Sequence, residues 1–258
     1  DITDMNATAT PQVIEPVPNM YFMRDPGFVL GDTFFFSRMY RKIRQRETNI
    51  LREIIERHPH MSGIKSNSFD LDEKTQDAVS IEGGDTMCIA PGHYAIAESE
   101  RTSRAAIRRV AEFLFSHKKA EKLFQPLIPP KRAYIHLDTV CSLVGSNAAI
   151  VHAEAFHAYS ETLLWTPQVI ERRGEPISLG MNFIDVLKHE FGKELIQAAG
   201  GGSRARLEQF DDATNVFLVN PDSPMVYDRN DETNRILVEH GFTIGSFAGS
   251  DLVMGRGG

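Results

Sequence analysis

This 258-residue sequence has few cysteines, no excess of positive charge and no long apolar run. Its two cysteines, Cys88 and Cys141, are too few for a disulfide framework or a CxxC metal knuckle, and they indicate a reducing compartment. The apolar runs are shorter than the roughly 20 residues that cross a bilayer. A net charge of −7 argues against a basic surface for nucleic acid or anionic membrane. These absences predict a soluble, cytoplasmic protein with no nucleic-acid or membrane partner.

The common cofactor motifs are also missing. The sequence has no P-loop, and its GGGS segment lacks both the GxGxxG spacing and the βαβ setting of a dinucleotide site. The HAEAFH segment offers His152, Glu154 and His157, yet no cysteine follows Cys141 to complete the zinc set of a deaminase. None of these segments therefore completes a metal or cofactor motif. Both cysteines lie in apolar, strand-like runs, which predicts that they are buried packing residues.

The sequence does contain a recurring pattern of two strands followed by a helix. β-prone runs such as FVLGDTFFF and TMCIAPGHYAI each precede an amphipathic stripe. The periodicity predicts helices over residues 42–58, 101–115, 182–191 and 232–240. Residues 1–18, interrupted by prolines, predict an extended lead-in, and residues 19–258 predict one α/β catalytic domain. Residues 62–80 and 198–206 predict loops.

Four short polar segments lie at the ends of the β-prone runs, with the sequences NMYFMRD, IEGGD, IHLD and GRGG. The carboxylates that they supply are Asp25, Glu82, Asp85 and Asp138. Several carboxylates around one opening suit a cationic substrate, and His136 is the side chain that exchanges protons near neutral pH.

The IHLD and EGGD segments each allow two interpretations. On a strand, the two-residue spacing points His136 and Asp138 to one face, where a proton shuttle would lie beside a fixed anion. The alternative is a structural His–Asp pair at a strand end. In EGGD, two glycines let the backbone turn sharply and bring Glu82 and Asp85 close to a ligand. The alternative there is a turn with solvated acids.

Three arginines, Arg44, Arg101 and Arg256, lie at or near the joints between modules. A guanidinium fork binds a carboxylate through two parallel hydrogen bonds, so these residues are candidates for a substrate carboxylate. For Arg44, in the segment RKIRQRET, a solvated helix face is the alternative.

Taken in order, these segments resemble the arginine deiminase family of guanidine-modifying enzymes. The resemblance rests on PNMYFMRDP, YRKIRQRET, IEGGD, ERTSR, IHLDTV, YDRNDETN and GRGG, in the family's order and approximate spacing. It implies an α/β fold, a β/α propeller with pseudo-fivefold symmetry built from strand–strand–helix modules. It also implies hydrolysis of L-arginine to L-citrulline and ammonia, without a metal or organic cofactor.

The resemblance assigns a role to each candidate residue. Asp25 and Asp138 would hold the guanidinium, His136 would act as general acid and base, and Glu82 would support both. The residues expected at the substrate are Asn19, Arg44, Arg101 and Arg256, at its amino-acid end, together with Asp85.

The sequence departs from the family at two places. The nucleophilic cysteine of the family follows the GRGG motif, and neither Cys88 nor Cys141 occupies that position. Loss of such a nucleophile costs on the order of a million-fold in turnover, so we expect this chain to be inactive alone. A further propeller module precedes PNMYF in the family, so we expect an incomplete propeller with exposed strand edges that associates with a second copy.

Two other functions compete with arginine deimination. Another guanidine-group enzyme, such as an agmatine deiminase or amidinotransferase, would not need arginines for a substrate carboxylate in the same way. A non-catalytic, truncated guanidine-binding homologue would keep the acidic pocket and lack the thiol.

Overall fold

The computed structural model describes Val17 and residues 19–68, 79–157 and 161–249. Within these ranges the chain forms four β-sheets, with α-helices between their strands. Most of the predicted lead-in and the GRGG segment with Arg256 lie outside the described residues. None of the described helices has the length and apolarity needed to span a bilayer.

The first sheet shows the unit from which the fold is built. Strands β1 (Gly27–Leu30) and β2 (Thr33–Phe36) pair antiparallel, helix α1 (Gln45–Arg57) follows, and β3 (Lys65–Ser68) returns parallel to β2. The helix thus serves as the crossover that a parallel pair of strands requires.

The same unit recurs three times. The second contains β4 (Thr86–Ala90), β5 (His93–Ile96), α2 (Arg104–Ser116) and β6 (Lys122–Pro126). The third contains β7 (Cys141–Val144), β8 (Ala148–Val151), α5 (Phe183–Phe191) and β11 (Glu194–Gln197). The fourth contains β12 (Phe217–Asn220), β13 (Ser223–Tyr227), α7 (Asp231–Glu239) and β14 (Gly245–Phe247).

The remaining elements extend or join these units. Strands β9 (Thr162–Trp165) and β10 (Ile177–Ser178) add to the second sheet beyond β6. The shorter helices are α3 (Ala153–His157), α4 (Pro167–Glu171) and α6 (Gly202–Phe210). The predicted α/β class and the repeated strand–strand–helix modules are confirmed.

Helix α2 shows how a long helix of the repeat buries an apolar stripe against its sheet. On α2, Ile107, Val110 and Leu114 are 0% exposed and pack with Phe35 of β2 and Trp165 of β9. Ser103 caps this helix by accepting a hydrogen bond from the backbone N–H of Ala106. Burial of a large aliphatic side chain contributes about 1.5–3 kcal/mol, so the stripe anchors the helix and, with it, the polar segment that precedes it.

Two predicted loops contain regular structure. Strand β3 lies within residues 62–80, of which residues 69–78 are outside the described part of the chain. Helix α6 begins at Gly202, within residues 198–206, and a 3-10 turn at Ala198–Gly200 precedes it. Glycine and polar content concealed both elements, because neither follows a long apolar period.

Polar segments precede the first strand of each unit. Asp25 lies before β1, the 3-10 turn Gly83–Asp85 leads into β4, and the 3-10 turn Leu137–Thr139 leads into β7. The repeat therefore brings segments far apart in sequence to a common opening.

Candidate active site

A cavity of about 210 Å³ lies where these polar segments converge. Its charged and titratable lining residues are Arg24, Asp25, Arg44, Arg101, His136, Asp138, Asp212, Tyr21 and Tyr227. The mixture of buried acids, arginines and one histidine gives it a chemistry unlike that of an apolar core.

Two glycines allow the EGGD segment to approach its neighbours. A Cβ at Gly83 would overlap the carbonyl oxygen of Arg24 and lie 2.8 Å from that of Gly27. A Cβ at Gly84 would lie 2.7 Å from Cγ of His136. The backbone N–H of Gly83 donates to the carbonyl of Asp25 at 3.0 Å. The glycines thus bring this segment against the other two.

His136 lies between two carboxylates. Its Nε2 is 2.8 Å from Oε2 of Glu82, and its Nδ1 is 3.7 Å from Oδ1 of Asp25. The expectation that His136 and Asp138 share a strand face is wrong, because Leu137–Thr139 forms a 3-10 turn with His136 at its N-terminal boundary. The turn nevertheless directs both side chains to the cavity.

The carboxylates determine the charge state of the histidine. Burial alone would lower the pKa of His136, but the field of Asp25 and the hydrogen bond to Glu82 outweigh it and raise the pKa to about 10. Burial acts to raise the pKa of Glu82, yet its hydrogen bond to His136 reverses the direction and lowers it. The pair is therefore an imidazolium and a carboxylate at neutral pH.

The side chain of Arg44 is buried and ion-paired, so it does not lie on a solvated helix face. Its Nη1 donates to Asp25 at 2.9 Å, while its Nε and Nη2 donate to Glu47 at 3.0 and 2.8 Å. Burial opposes the charged form of Arg44, but Glu47 and Asp25 more than compensate and raise its pKa. Because both sides of its fork are engaged, Arg44 acts on the cavity mainly by fixing Asp25.

Arg101 is less fully engaged. It is 3% exposed, its Nη1 lies 3.7 Å from Oε2 of Glu82, and its Nε lies 3.6 Å from Oε1 of Glu100. Its Nε donates no hydrogen bond to any described residue. A buried donor of this kind is available to an anionic group at the cavity.

Asp138 has a carboxylate oxygen that lacks a hydrogen-bond donor among the described residues. Oδ2 lies 3.4 Å from Nε of Arg24, whose side chain is 44% exposed, while the buried Oδ1 accepts no hydrogen bond from the described residues. Burial raises the pKa of Asp138, although the charges of Arg24 and His136 oppose the rise. Such an oxygen suits a cationic, hydrogen-bond-donating ligand.

Three other predicted residues do not line the cavity. The first is Glu82, which is 0% exposed and supports the lining histidine through its carboxylate. Asp85 is 0% exposed, and hydrogen bonds from the protein enclose its carboxylate. The prediction that Asp85 contacts the substrate is therefore wrong. Asn19 is partly buried at a turn, where its carbonyl accepts from the N–H of Phe22. Arg256 lies outside the described residues.

Neither cysteine lies in the cavity. Cys141 is buried in β7, where burial raises the pKa of its thiol to about 12. Cys88 is exposed on β4, so the expectation that it is buried is wrong. A thiol with so high a pKa is a poor nucleophile.

Three residues with metal-binding side chains lie together beside the cavity without forming a good metal site. One ligand atom from each of Asp25, Glu82 and His136 lies within 4.8 Å of the others. However, Nη1 of Arg44 is 2.9 Å from Asp25 and 3.9 Å from Glu82. A divalent cation would face this guanidinium and the imidazolium, so the donor set does not fit a metal.

Sequence patterns missed Glu47, Asp212, Asn215 and Tyr227, of which the last three line the cavity. The signal for Glu47 was its position three residues after Arg44 on a helical segment, the spacing of an ion pair. Asp212 and Asn215 lie before β12, the position that Asp25 occupies before β1. Alignment of the fourth repeat unit with the first therefore predicts polar residues of the cavity at these two positions.

Two solved structures resemble this chain in fold. The N-terminal domain of ArgZ, an arginine dihydrolase from cyanobacteria, in a substrate-bound Cys-to-Ser mutant, has a TM-score of 0.64 and 20% identity, covering 92% of this chain and 71% of that one. DDAH from Pseudomonas aeruginosa, a Cys-to-Ser mutant complexed with citrulline, has a TM-score of 0.60 and 18% identity, covering 91% and 71%. These likenesses show the propeller-like fold.

Sequence comparison gives the family. Arginine deiminase from Streptococcus pneumoniae serotype 19F (strain G54) is 32% identical over 267 residues, covering 100% of this chain and 63% of that protein. The chain thus spans less than two thirds of this relative's length, and the same figures hold for the strain P1031 protein. The sequence model of the family described as arginine deiminase matches residues 1–258. The chain therefore belongs to the arginine deiminase family.

Proposed function

We propose that this chain supplies the guanidinium-binding and proton-transfer part of an arginine deiminase site, which converts L-arginine and water to L-citrulline and ammonia. The observation that carries the proposal is His136 held between Glu82 and Asp25, in a cavity that Asp25, His136 and Asp138 line together. Residues 19–258 would act as one catalytic domain.

The carboxylates would bind and polarise the substrate cation. A guanidinium is protonated at any working pH, and its resonance makes the central carbon a poor electrophile. The carboxylate of Asp138, whose Oδ1 lacks a donor among the described residues, would accept two of its N–H groups, and Asp25 would face the other side. Buried carboxylates localise the positive charge and so favour attack on the carbon.

The reaction would proceed in two halves through an amidino-cysteine. A cysteine thiolate forms a C–S bond with the guanidinium carbon, and the carbon's bond to a terminal nitrogen breaks as His136 gives that nitrogen a proton. Ammonia leaves, and neutral His136 then accepts a proton from water. The hydroxide forms a C–O bond, the C–S bond breaks, and the thiolate is released. Loss of the hydroxyl proton leaves neutral citrulline, and that proton converts ammonia to ammonium in solvent.

The thiol step requires a cysteine other than Cys88 and Cys141, since neither reaches the cavity. In a related structure, an Asn-to-Ser variant of the N-terminal domain of ArgZ is covalently bound to a reaction intermediate. That covalent adduct, in a protein of the same fold, supports the proposal that catalysis at this site is covalent. We propose that the 258 residues alone bind substrate without turning it over.

The carboxylate end of the substrate would lie toward Arg101, whose buried Nε lacks a hydrogen-bond acceptor among the described residues. Agmatine has the same guanidinium and no carboxylate. Preference for L-arginine over agmatine therefore supports a deiminase of arginine, whereas equal or stronger binding of agmatine contradicts it.

Calorimetry on the chain tests the proposal directly. We expect L-arginine to bind, and Asp138→Asn to abolish detectable binding because the carboxylate becomes a neutral amide. Asp222→Asn is the control, since it neutralises an exposed aspartate that does not line the cavity. Unchanged affinity in Asp138→Asn would contradict the assigned role.

A second candidate is a non-catalytic guanidine-binding protein, which the absence of both cysteines from the cavity favours. Citrulline formation by the native gene product discriminates the two. Iodoacetamide labelling followed by peptide mapping should then identify one reactive thiol that L-arginine protects. Binding without citrulline and without a protected thiol would support the second candidate. The predicted association with a second copy stays a prediction.

A further inference from the structure

Asp85 is enclosed by three hydrogen-bond donors. Its Oδ1 accepts from the backbone N–H of Leu137 at 3.0 Å, and its Oδ2 accepts from the hydroxyls of Ser99 and Thr102 at 2.7 and 2.6 Å. The side chain is wholly buried and lies outside the cavity lining. Burial of a carboxylate is costly unless its bonds are satisfied, so this network is a specific feature of the fold.

Each of the three donors leads to a residue of the candidate site. Leu137 lies between His136 and Asp138 in the 3-10 turn. The hydroxyl of Thr102 accepts from the backbone N–H of Glu82 at 3.2 Å.

The third donor connects the loop after β5. The hydroxyl of Ser99 accepts from the backbone N–H groups of Arg101 and Thr102 at 2.9 and 3.1 Å. Those two bonds occupy both lone pairs of the Ser99 oxygen, so its hydrogen must be donated to Asp85. The network therefore requires an acceptor on Oδ2, which the carboxylate provides.

We propose that Asp85 is a positioning residue, whose carboxylate holds the His136–Asp138 turn, the Glu82 backbone and the Arg101 loop in one fixed arrangement and whose charge favours protonated His136. This inference rests on the proposed function for the roles of those residues, while the network itself does not depend on it. Asp85 contributes no direct contact to the substrate.

The charge of Asp85 adds to a crowded electrostatic environment. His136 is faced by the anions Asp25, Glu82, Asp85 and Asp138 and by the cations Arg24, Arg44 and Arg101 near them. Burial raises the pKa of Asp85 to about 7, against the opposing effect of His136 and the two hydroxyls. Protonation of Asp85 below that pH would weaken its effect on the histidine.

The test is Asp85→Asn in the 258-residue chain, with NMR titration of His136 and calorimetry of L-arginine. We expect the pKa of His136 to fall by about one unit or more, because a buried anion is neutralised. We expect L-arginine affinity to fall roughly tenfold, because Asn has only one acceptor oxygen and the segments are no longer held in one arrangement.

Glu208→Gln is the matched control. Glu208 is a buried carboxylate outside the cavity lining. It accepts from the N–H groups of Glu232 and Thr233, from the Thr233 hydroxyl and from Nε of Arg204, so it caps α7. This variant should lose stability and leave both the His136 titration and L-arginine affinity unchanged. Asp85→Asn behaving like Glu208→Gln would overturn the proposal.

Two further arms keep the test decisive. If Asp85→Asn fails to fold, Ser99→Ala replaces it as the test, because it removes one hydrogen bond to Asp85 and frees the Arg101 loop. Ser99→Ala should weaken L-arginine binding more than agmatine binding. Equal effects on both ligands would overturn the proposal. The histidine titration needs no ligand. A shifted His136 with no L-arginine binding by the unmodified chain would therefore support the positioning role and refute the proposed function.

Discussion

Substitution of Glu47 by Gln tests whether the buried ion-pair network fixes Arg44. Glu47 and Arg44 are 2% and 3% exposed, and Glu47 receives both Nε and Nη2 of the guanidinium. Gln keeps the shape of the side chain and one acceptor, but it removes the charge. Arg44 would then retain only Asp25 as a directly bonded anion.

The expected cost follows from what remains paired. Complete loss of a partner from a buried ion pair costs about 3–5 kcal/mol, and a hydrogen bond to a charged group contributes about 1.5–3 kcal/mol. Since Asp25 still neutralises Arg44, we expect Glu47→Gln to lower the free energy of unfolding by about 2–4 kcal/mol. For a chain of this size that corresponds to a melting temperature lower by roughly 4–16 °C.

Urea denaturation followed by circular dichroism measures this loss, and Glu53→Gln on the same helix provides the control. Glu53 pairs with Arg57 at 2.6 Å, but the two side chains are 58% and 76% exposed. An exposed i,i+4 pair contributes about 0.3–0.5 kcal/mol. If Glu47→Gln costs no more than Glu53→Gln, the network does not hold Arg44 as described.

Three further results are expected. The pKa of His136 is raised from 6.5 to about 10, so its protonation stabilises the fold fully below pH 6.5. This contribution, up to ~5 kcal/mol, is lost as the pH rises through 10. Thermal melts of His136→Asn should lack this decline. Arg24→Gln should tighten guanidine binding to Asp138 about two- to fivefold by calorimetry, since an exposed partner contributes up to about 1 kcal/mol; weaker binding would show that Arg24 assists instead. Gly84→Ala should destabilise by about 1–3 kcal/mol through its clash with His136, whereas Gly63→Ala, with open space at its Cβ, should not; equal urea midpoints would refute the close approach.

The module pattern was predictable because it depends on local periodicity. The apolar stripe of α2 and the turn between β4 and β5 are visible in consecutive residues, and the structure places both close to the expected bounds. The third strand of each unit was not predicted. Strand β3, KSNS, has no apolar alternation, and it forms because β2 offers it a parallel backbone partner.

The candidate site was predictable to the extent that its residues are chemically distinctive. His136, Glu82 and Asp138 were identifiable as polar residues at the boundaries of apolar runs. Pattern alone could not separate a residue that faces the cavity from one that supports it. Asp85 and Glu47 are carboxylates like the others, and only the hydrogen bonds from distant loops show that they hold neighbours in place.

The two aspartates expected to hold the guanidinium differ in what they have left to offer. Asp25 already binds Nη1 of Arg44 at 2.9 Å and lies 3.7 Å from Nδ1 of His136, so its charge is largely neutralised by groups of the protein. Asp138 has one exposed cationic neighbour at 3.4 Å and one buried oxygen without a donor among the described residues. An incoming cation gains most where the protein has left an anion unsatisfied. The affinity of the cavity for a guanidinium should therefore depend chiefly on Asp138, with Asp25 contributing by fixing the charge state of His136.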